Sequence, residues 1–163
     1  MSSTLLPEED YFSCFYNAGT YYGVSPEILM AIAWVESKFN PVAYNKNRDG
    51  SYDIGVMQIN SRWLSYLKKY GVDIHHLWNP CYNIHIGAMV LRHCIDQHGN
   101  TWRAIDCYNK GTKKAKHSSH YVWKVYKSFR YLSKQTDKYT NKGGEYKSVK
   151  DWLSDWFINY VNS

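Results

Sequence analysis

The chain has 163 residues, 44% hydrophobic and 21% charged, so it is long enough for one domain with a core and too apolar to be disordered. Its net charge of +6 comes from scattered lysines and arginines, and no nucleic-acid motif surrounds their densest cluster, residues 113–117. We therefore expect no nucleic-acid partner. Another anionic polymer would account for the positive charge as well as a nucleic acid would. No segment is long and apolar enough to span a membrane.

Helical periodicity dominates the chain and predicts a mainly α fold. The pattern predicts six helices, over residues 7–22, 26–37, from 61 onward, 80–98, from about 102 to 110, and 119–133. Gly23 is expected to end the first helix, and Ser25-Pro26 to begin the second with an N-cap and a proline at the first helical position. Between the second and third helices, Asn47-Arg48-Asp49-Gly50 is a hairpin signal, which predicts a small β excursion over 44–54.

The last part of the chain differs from the rest. Residues 134–144 are polar and loop-like, and an amphipathic helix follows. Its apolar stripe consists of Tyr146, Val149, Trp152, Leu153, Trp156, Phe157 and Tyr160. We predict a domain over 7–133 and a C-terminal tail over 134–163 whose stripe packs on that domain. Docking to a partner or to a membrane surface is the alternative.

The cysteines and the start of the chain bear on the compartment. Cys14, Cys81, Cys94 and Cys107 form no CxxC pair, so we expect no metal site, and we expect no cofactor. An even number of cysteines in a small basic domain indicates two disulfides and an oxidising compartment. Four buried free thiols are the alternative, and three disulfide connectivities are open.

Residues 1–10 lack the features of a signal peptide, so an exported protein would be in its mature form here, with Met1 added for expression.

Two carboxylates are the main catalytic candidates. Glu36 lies near the end of the apolar second helix, where apolar neighbours and the helix dipole both raise the pKa of a carboxyl, as a general acid requires. Asp53 follows on a turn-rich segment, and glycosidic-bond cleavage uses a proton donor and a second group that stabilises or attacks the sugar. The alternatives are a surface Glu36 paired with Lys38 or Lys46, and an Asp53 that bonds its own turn.

Two amides follow Asp53. Gln58 and Asn60 are two positions apart, so they share a face if the segment is extended, beside the flexible Gly55. Amides there can hydrogen-bond the N-acetyl and hydroxyl groups of an amino sugar. Asn60 is also the expected N-cap of the third helix, and it can serve both purposes.

Four motifs occur in order along the chain: Glu36-Ser37-x-Phe39-x-Pro41, Gly55-x-Met57-Gln58-Ile59-Asn60, Tyr108-Asn109-x-Gly111 and Tyr121-Val122-x-Lys124-Val125. Together they resemble the soluble lytic transglycosylases, glycoside hydrolase family 23, and most of all the small members that accompany secretion, conjugation and pilus systems. The resemblance covers about residues 14–132. It implies a mainly α (α+β), lysozyme-like fold with a short β-hairpin beside a substrate groove, and an enzyme that cuts peptidoglycan at the MurNAc–GlcNAc β-1,4 bond and forms 1,6-anhydro-MurNAc.

The resemblance also implies roles for particular residues. Glu36 would protonate the leaving oxygen and then take a proton from the muramic-acid 6-hydroxyl. Tyr108 would help to place this acid, and Ser37 would support its geometry. The full set of implied substrate-site positions is Ser37, Met57, Gln58, Asn60, Tyr108, Asn109 and Tyr121.

The same resemblance implies the disulfide Cys14–Cys81; Cys107 departs from the family pattern, and with Cys14 and Cys81 paired its remaining partner is Cys94, which predicts Cys94–Cys107. The resemblance further implies peptidoglycan strands as the ligand and a component of a secretion, conjugation or pilus apparatus as a further partner. We expect a monomer that is periplasmic or secreted.

One departure from the family pattern concerns Asp53, because most members have no second catalytic carboxylate. The window 36–63 also resembles animal c-type lysozymes in the Glu36-to-Asp53 spacing, the turn 47–51 and the run 58–63. By analogy with the two-carboxylate site of lysozyme, Asp53 would be functional, and Asn45 would be the amide that supports it. The alternatives are therefore a hydrolytic muramidase that uses Glu36 and Asp53, and a non-catalytic peptidoglycan-binding scaffold, against which the presence of Glu36 argues.

Overall fold

Helices make up most of the protein, whose computed structural model describes residues 11–140 and the side chains of 11–134. The helices are α1 Ser13–Tyr22, α2 Pro26–Ser37, α3 Leu64–Leu67, α4 Ile74–Leu77, α5 Pro80–His98, α6 Trp102–Lys110 and α7 His120–Thr140. The strands are β1 Tyr44–Lys46, β2 Tyr52–Ile54 and β3 Ile59–Asn60, and 3-10 turns cover Ser61–Trp63, Lys68–Tyr70 and Thr112–Lys114. The prediction of a mainly α (α+β) fold is confirmed.

Local capping signals fix the ends of the long helices. The Ser25 hydroxyl accepts a hydrogen bond from the Ile28 N–H at 3.2 Å, and Asn79 Oδ1 accepts one from the Tyr82 N–H at 3.1 Å. A proline occupies the first turn of α2 and of α5. Gly23 ends α1 in the left-handed conformation. The bounds predicted for α2 and α5 are confirmed.

Three predicted helical segments differ from the structure. The third helix is broken into α3 and two 3-10 turns, and it ends at Gly71, which is left-handed with φ 73°. The short helix α4 was not predicted. α7 runs on to Thr140, because no glycine or proline interrupts residues 119–140. The predicted division at 133/134 therefore falls inside α7; it stays a prediction, and residues 141–163 with their apolar stripe lie outside the described residues.

The three strands form one antiparallel sheet in the order β1-β2-β3. The register pairs Asn45 with Asp53 and Asp53 with Asn60, so the three residues lie in one row on the same face. In the turn 47–51, Asp49 Oδ1 accepts the Ser51 N–H at 2.9 Å. The predicted hairpin is confirmed, and β3 is an addition to it.

The core lies around α2, whose residues 29–33 are fully buried. α2 packs on α7 and on α1, and α1 packs on α5. Disulfides join Cys14 to Cys81 and Cys94 to Cys107, with Cα–Cα distances of 5.5 and 5.8 Å, so both predicted pairings are confirmed. They tie α1 to α5 and α5 to α6. Between residues 11 and 140, no helix has the length and apolar character needed to cross a membrane.

Candidate active site

A groove of about 620 Å³ runs between the sheet and the helices α5 and α6. It brings both candidate carboxylates to one surface. The predicted residues that line it are Glu36, Asp53, Gln58, Asn60, Tyr108 and Asn109. Its lining also includes polar and aromatic residues that were not predicted as site residues: Asn47, Asp49, Ser51, Arg62, Trp63 and His93.

Glu36 is in the last turn of α2, half-buried and open to the groove. Burial raises the pKa of Glu36 from 4.5 to about 7, and the charge of Asp53 adds to the rise. Tyr121 opposes it, because its hydroxyl donates a hydrogen bond to Glu36 Oε2 at 2.9 Å, and Lys124 opposes it through its charge. Glu36 is therefore protonated in a large fraction of molecules at neutral pH and can donate that proton into the groove.

Asp53 is held by two amides. Asn47 Nδ2 donates to Asp53 Oδ2 at 3.1 Å, and Asn60 Nδ2 donates to Asp53 Oδ1 at 2.9 Å. Asn60 Oδ1 also accepts the Arg62 N–H at 3.0 Å, so Asn60 caps the following 3-10 turn and serves both purposes. The carboxylate thus has a fixed orientation at the groove wall.

Asn45 does not have the predicted contact with Asp53, although the two residues face each other in the sheet. Its Nδ2 donates instead to Gln58 Oε1 at 2.7 Å. The reason is the left-handed backbone of Gln58, with φ 51°, and the hydrogen bonds of Gln58 Nε2 to the carbonyls of Ala43 and Gly55 at 3.2 and 3.0 Å. These contacts bring the Gln58 amide to β1, where it meets Asn45.

The charge of Glu36 acts on both tyrosines, but their hydrogen bonds differ from those expected. Tyr121, only 7% exposed, contacts the acid, whereas Tyr108 lines the groove and its hydroxyl donates to the Met57 carbonyl at 2.7 Å. Burial, and then the charge of Glu36, raises the pKa of both phenols well above its ordinary value, so both remain hydrogen-bond donors.

Met57 and Ser37 support the groove from behind. The Met57 side chain is fully buried, which is incompatible with the expected contact with a sugar. The Ser37 hydroxyl donates to the Val56 carbonyl at 2.7 Å, which ties the end of α2 to the loop before β3. Asn109, in contrast, is exposed at the groove as expected.

The family model for the Transglycosylase SLT domain matches residues 13–128. This chain belongs to the transglycosylase SLT domain family. Membership confirms the resemblance to soluble lytic transglycosylases and the prediction of a peptidoglycan lytic transglycosylase.

Curated relatives and one solved structure agree with this membership. The SLT domain protein is 36% identical over 132 residues to the invasion protein IagB of Salmonella typhi, covering 79% of this chain and 82% of IagB. It is 36% identical over 127 residues to protein IpgF of Shigella flexneri, covering 76% and 84%. An inactive mutant of the lytic transglycosylase Slt from Pseudomonas aeruginosa matches 72% of this chain with a TM-score of 0.53 and 22% identity, which supports the fold alone. This chain spans 21% of that structure.

Sequence reasoning missed several groove residues of this SLT domain. Trp63 and His93 pack edge to face, with ring centroids 6.2 Å apart, and Arg62 forms an ion pair with Asp49 at 2.8 Å. The hairpin signal includes Asn47 but predicts no role for its side chain. Nothing in the local pattern of α5 distinguishes His93, which lies at the groove beside Trp63 and residues 107–109 of α6.

We expect the Tyr121→Phe variant to shift the alkaline limb of the pH–activity profile upward by about one pH unit. The lost hydrogen bond stabilises the ionised form of Glu36, and a bond to a charged group contributes roughly 1.5 kcal/mol, which corresponds to a change of that size. Tyr126→Phe, on the same helix but at a hydroxyl that contacts Arg130, is the matched control. An unchanged or downward-shifted limb in Tyr121→Phe would contradict the role given to this hydroxyl.

Proposed function

We propose that this protein cleaves the β-1,4 bond between MurNAc and GlcNAc and closes 1,6-anhydro-MurNAc, with Glu36 as both acid and base. The observation that carries this proposal is the carboxyl of Glu36, which is buried on one side, open to the groove on the other, and has a pKa of about 7. A group with that pKa can donate a proton at neutral pH and take one back afterwards.

The proposed reaction uses Glu36 twice. Its proton goes to the glycosidic oxygen as the bond from C1 to that oxygen breaks, and GlcNAc leaves as an alcohol. The Glu36 carboxylate then accepts the proton of the C6 hydroxyl, while O6 forms a bond to C1 and closes the anhydro ring. Glu36 ends protonated, and no water is consumed. The hydrogen bond from Tyr121 stabilises the carboxylate between the two steps.

Two details favour a polysaccharide as the substrate. The groove is open to solvent and lined with amides, hydroxyls and an aromatic pair. Gln58, Asn60 and Asn109 would bind the sugars, although Gln58 and Asn60 also hold neighbouring protein groups. Their fixed orientation reduces the entropy cost of binding.

A hydrolytic muramidase is the second candidate, and the placement of Asp53 favours it. The Asp53 carboxylate lies in the same groove as Glu36, fixed by Asn47 and Asn60. In that case Asp53 would stabilise or attack C1, and water would complete the reaction.

A non-catalytic peptidoglycan-binding scaffold is the third candidate function. Such a protein would bind purified peptidoglycan without releasing soluble fragments.

We expect the Asp53→Asn variant to cleave glycan at a rate within about tenfold of the parent. In the proposed reaction Asp53 forms no bond to the sugar and acts only through its charge, so its loss should change the activation free energy by no more than about 1.4 kcal/mol, which corresponds to tenfold. Its alkaline limb should move downward, since the charge of Asp53 raises the pKa of Glu36. Asp49→Asn, at another groove carboxylate, is the control. Release of soluble fragments from purified peptidoglycan measures the rate; a loss in Asp53→Asn as large as that in Glu36→Gln would favour the muramidase.

The location and partners belong to the same proposal. Two disulfides support a periplasmic or secreted location, since such bonds persist in oxidising compartments. We propose that the enzyme acts as a monomer and opens peptidoglycan strands locally beside a secretion, conjugation or pilus apparatus. Its similarity to a protein named for invasion is compatible with that setting.

A further inference from the structure

Asn83, on α5, is a fully buried polar side chain that no step of the proposed reaction uses. Its Oδ1 accepts the Met57 N–H at 2.7 Å. Its Nδ2 donates to the carbonyls of Ile54 and Leu77 at 2.8 and 2.9 Å. Asn83 therefore joins α5 to the segment 54–58 and to the end of α4 through three buried hydrogen bonds.

The segment 54–58 is a wall shared by the acid and the groove. Ser37, the neighbour of Glu36, donates to the Val56 carbonyl, and Tyr108 donates to the Met57 carbonyl, both at 2.7 Å. Side chains from α2, α5 and α6 thus converge on five residues. Gln58, at the end of this segment, lines the groove.

Close packing leaves the segment little room to adjust. Gly55 has φ 79°, and a Cβ atom there would lie 2.4 Å from Asn83 Nδ2. On the next turn of α5, a Cβ atom at Gly87 would lie 2.8 Å from Cε and Cγ of Met57. The Met57 side chain stays confined by Gly87 when the Asn83 amide is removed, whereas the space beside Gly55 opens, so the Met57 N–H and the Ile54 carbonyl lose their buried partner and the segment loses its anchor on α5.

We propose that Asn83 is a positioning residue for glycan binding: it fixes the segment 54–58, and through it the Gln58 amide and the backbone that holds Tyr108. The proposal rests on the proposed function. The segment also meets the end of α2 through Ser37, but the side-chain hydrogen bond to the Glu36 carboxyl itself comes from Tyr121 on α7. Loss of the Asn83 side chain should therefore raise the KM for glycan strands and leave the pH at which activity falls unchanged.

The test compares Asn83→Ala with Asn79→Ala. Both substitutions remove an asparagine side chain from the start of α5, but the Asn79 side chain caps the helix through the Tyr82 N–H. With soluble glycan strands, we expect Asn83→Ala to raise KM about tenfold or more relative to Asn79→Ala, with the pH midpoint unchanged. Equal KM values in the two variants, or a shifted pH midpoint in Asn83→Ala, would overturn the proposal.

A second measurement does not require a folded variant. In the unmodified protein, saturation with a GlcNAc trisaccharide should shift the NMR signals of the Asn83 side-chain amide and the Met57 backbone amide. Shifts at Gln58 without shifts at Asn83 and Met57 would overturn the proposal. Failure of the proposed function is distinguishable, since it would show as the absence of anhydro products, whereas this titration reports on binding alone.

Discussion

Glu36→Gln should lower the rate of glycan cleavage by about 10²- to 10⁴-fold, the contribution typical of a positioned acid–base group. The amide keeps the size of the carboxyl and can still accept the hydrogen bond from Tyr121, but it has no acidic proton to donate. Glu27→Gln, the same substitution in the first turn of the same helix, is the matched control and should retain full activity. Cleavage that persists in Glu36→Gln would contradict both the transglycosylase and the muramidase.

The same substitution should also stabilise the folded protein at alkaline pH. The unfolded chain releases the Glu36 proton near the ordinary pKa of 4.5, whereas the folded protein releases it only near 7, so folding stability falls as pH rises through that window. Above the window, the folded protein has lost about 3 kcal/mol of stability, because a pKa difference of one corresponds to about 1.36 kcal/mol. Glu36→Gln should therefore be more stable than the parent at pH 8.5 and equally stable at pH 4. Equal stability at both pH values would contradict the raised pKa.

Removal of the disulfides should give the second large effect, and its size should follow the length of the closed loop. The sequence separations are 67 for Cys14–Cys81 and 13 for Cys94–Cys107. Loss of loop entropy in the unfolded chain then corresponds to about 4 and about 3 kcal/mol, respectively. We expect urea unfolding of the double serine variants to show this order.

The two disulfides should also differ in their effect on activity. Cys94 and Cys107 line the groove, and Tyr108 follows directly, so removal of this pair should reduce activity even where the variant is folded. Cys14 and Cys81 lie outside the groove lining, so their removal should lower stability with little loss of activity. A reversed order of stability, or equal losses of activity, would contradict these assignments.

Helix ends could be predicted where capping residues and prolines lie next to them in the sequence. Ser25-Pro26 and Asn79-Pro80 set the starts of α2 and α5 through caps that depend only on neighbouring residues. The region 61–77 could not be predicted in the same way. Its helices α3 and α4 span four residues each, too short for periodicity to reveal, and α4 packs against α5. Gly71 and the N-cap Asp73 do mark the break between α3 and α4.

The candidate active site could also be predicted only in part from the sequence. Glu36, Asp53 and the amides near them could be recognised from residue type and order along the chain. The partners of these groups could not, because they depend on how separate elements pack. Tyr121 reaches the acid only because α7 lies against α2, and Asn83 is an ordinary helical asparagine until the fold buries it beside Met57.

Mass spectrometry of the fragments released from purified peptidoglycan tests the central claim most directly. If Glu36 acts first as acid and then as base toward the C6 hydroxyl, the new ends are 1,6-anhydro-MurNAc. Reducing MurNAc ends would contradict the account: water would then complete the reaction, and Asp53 would have a part in the chemistry beside Glu36.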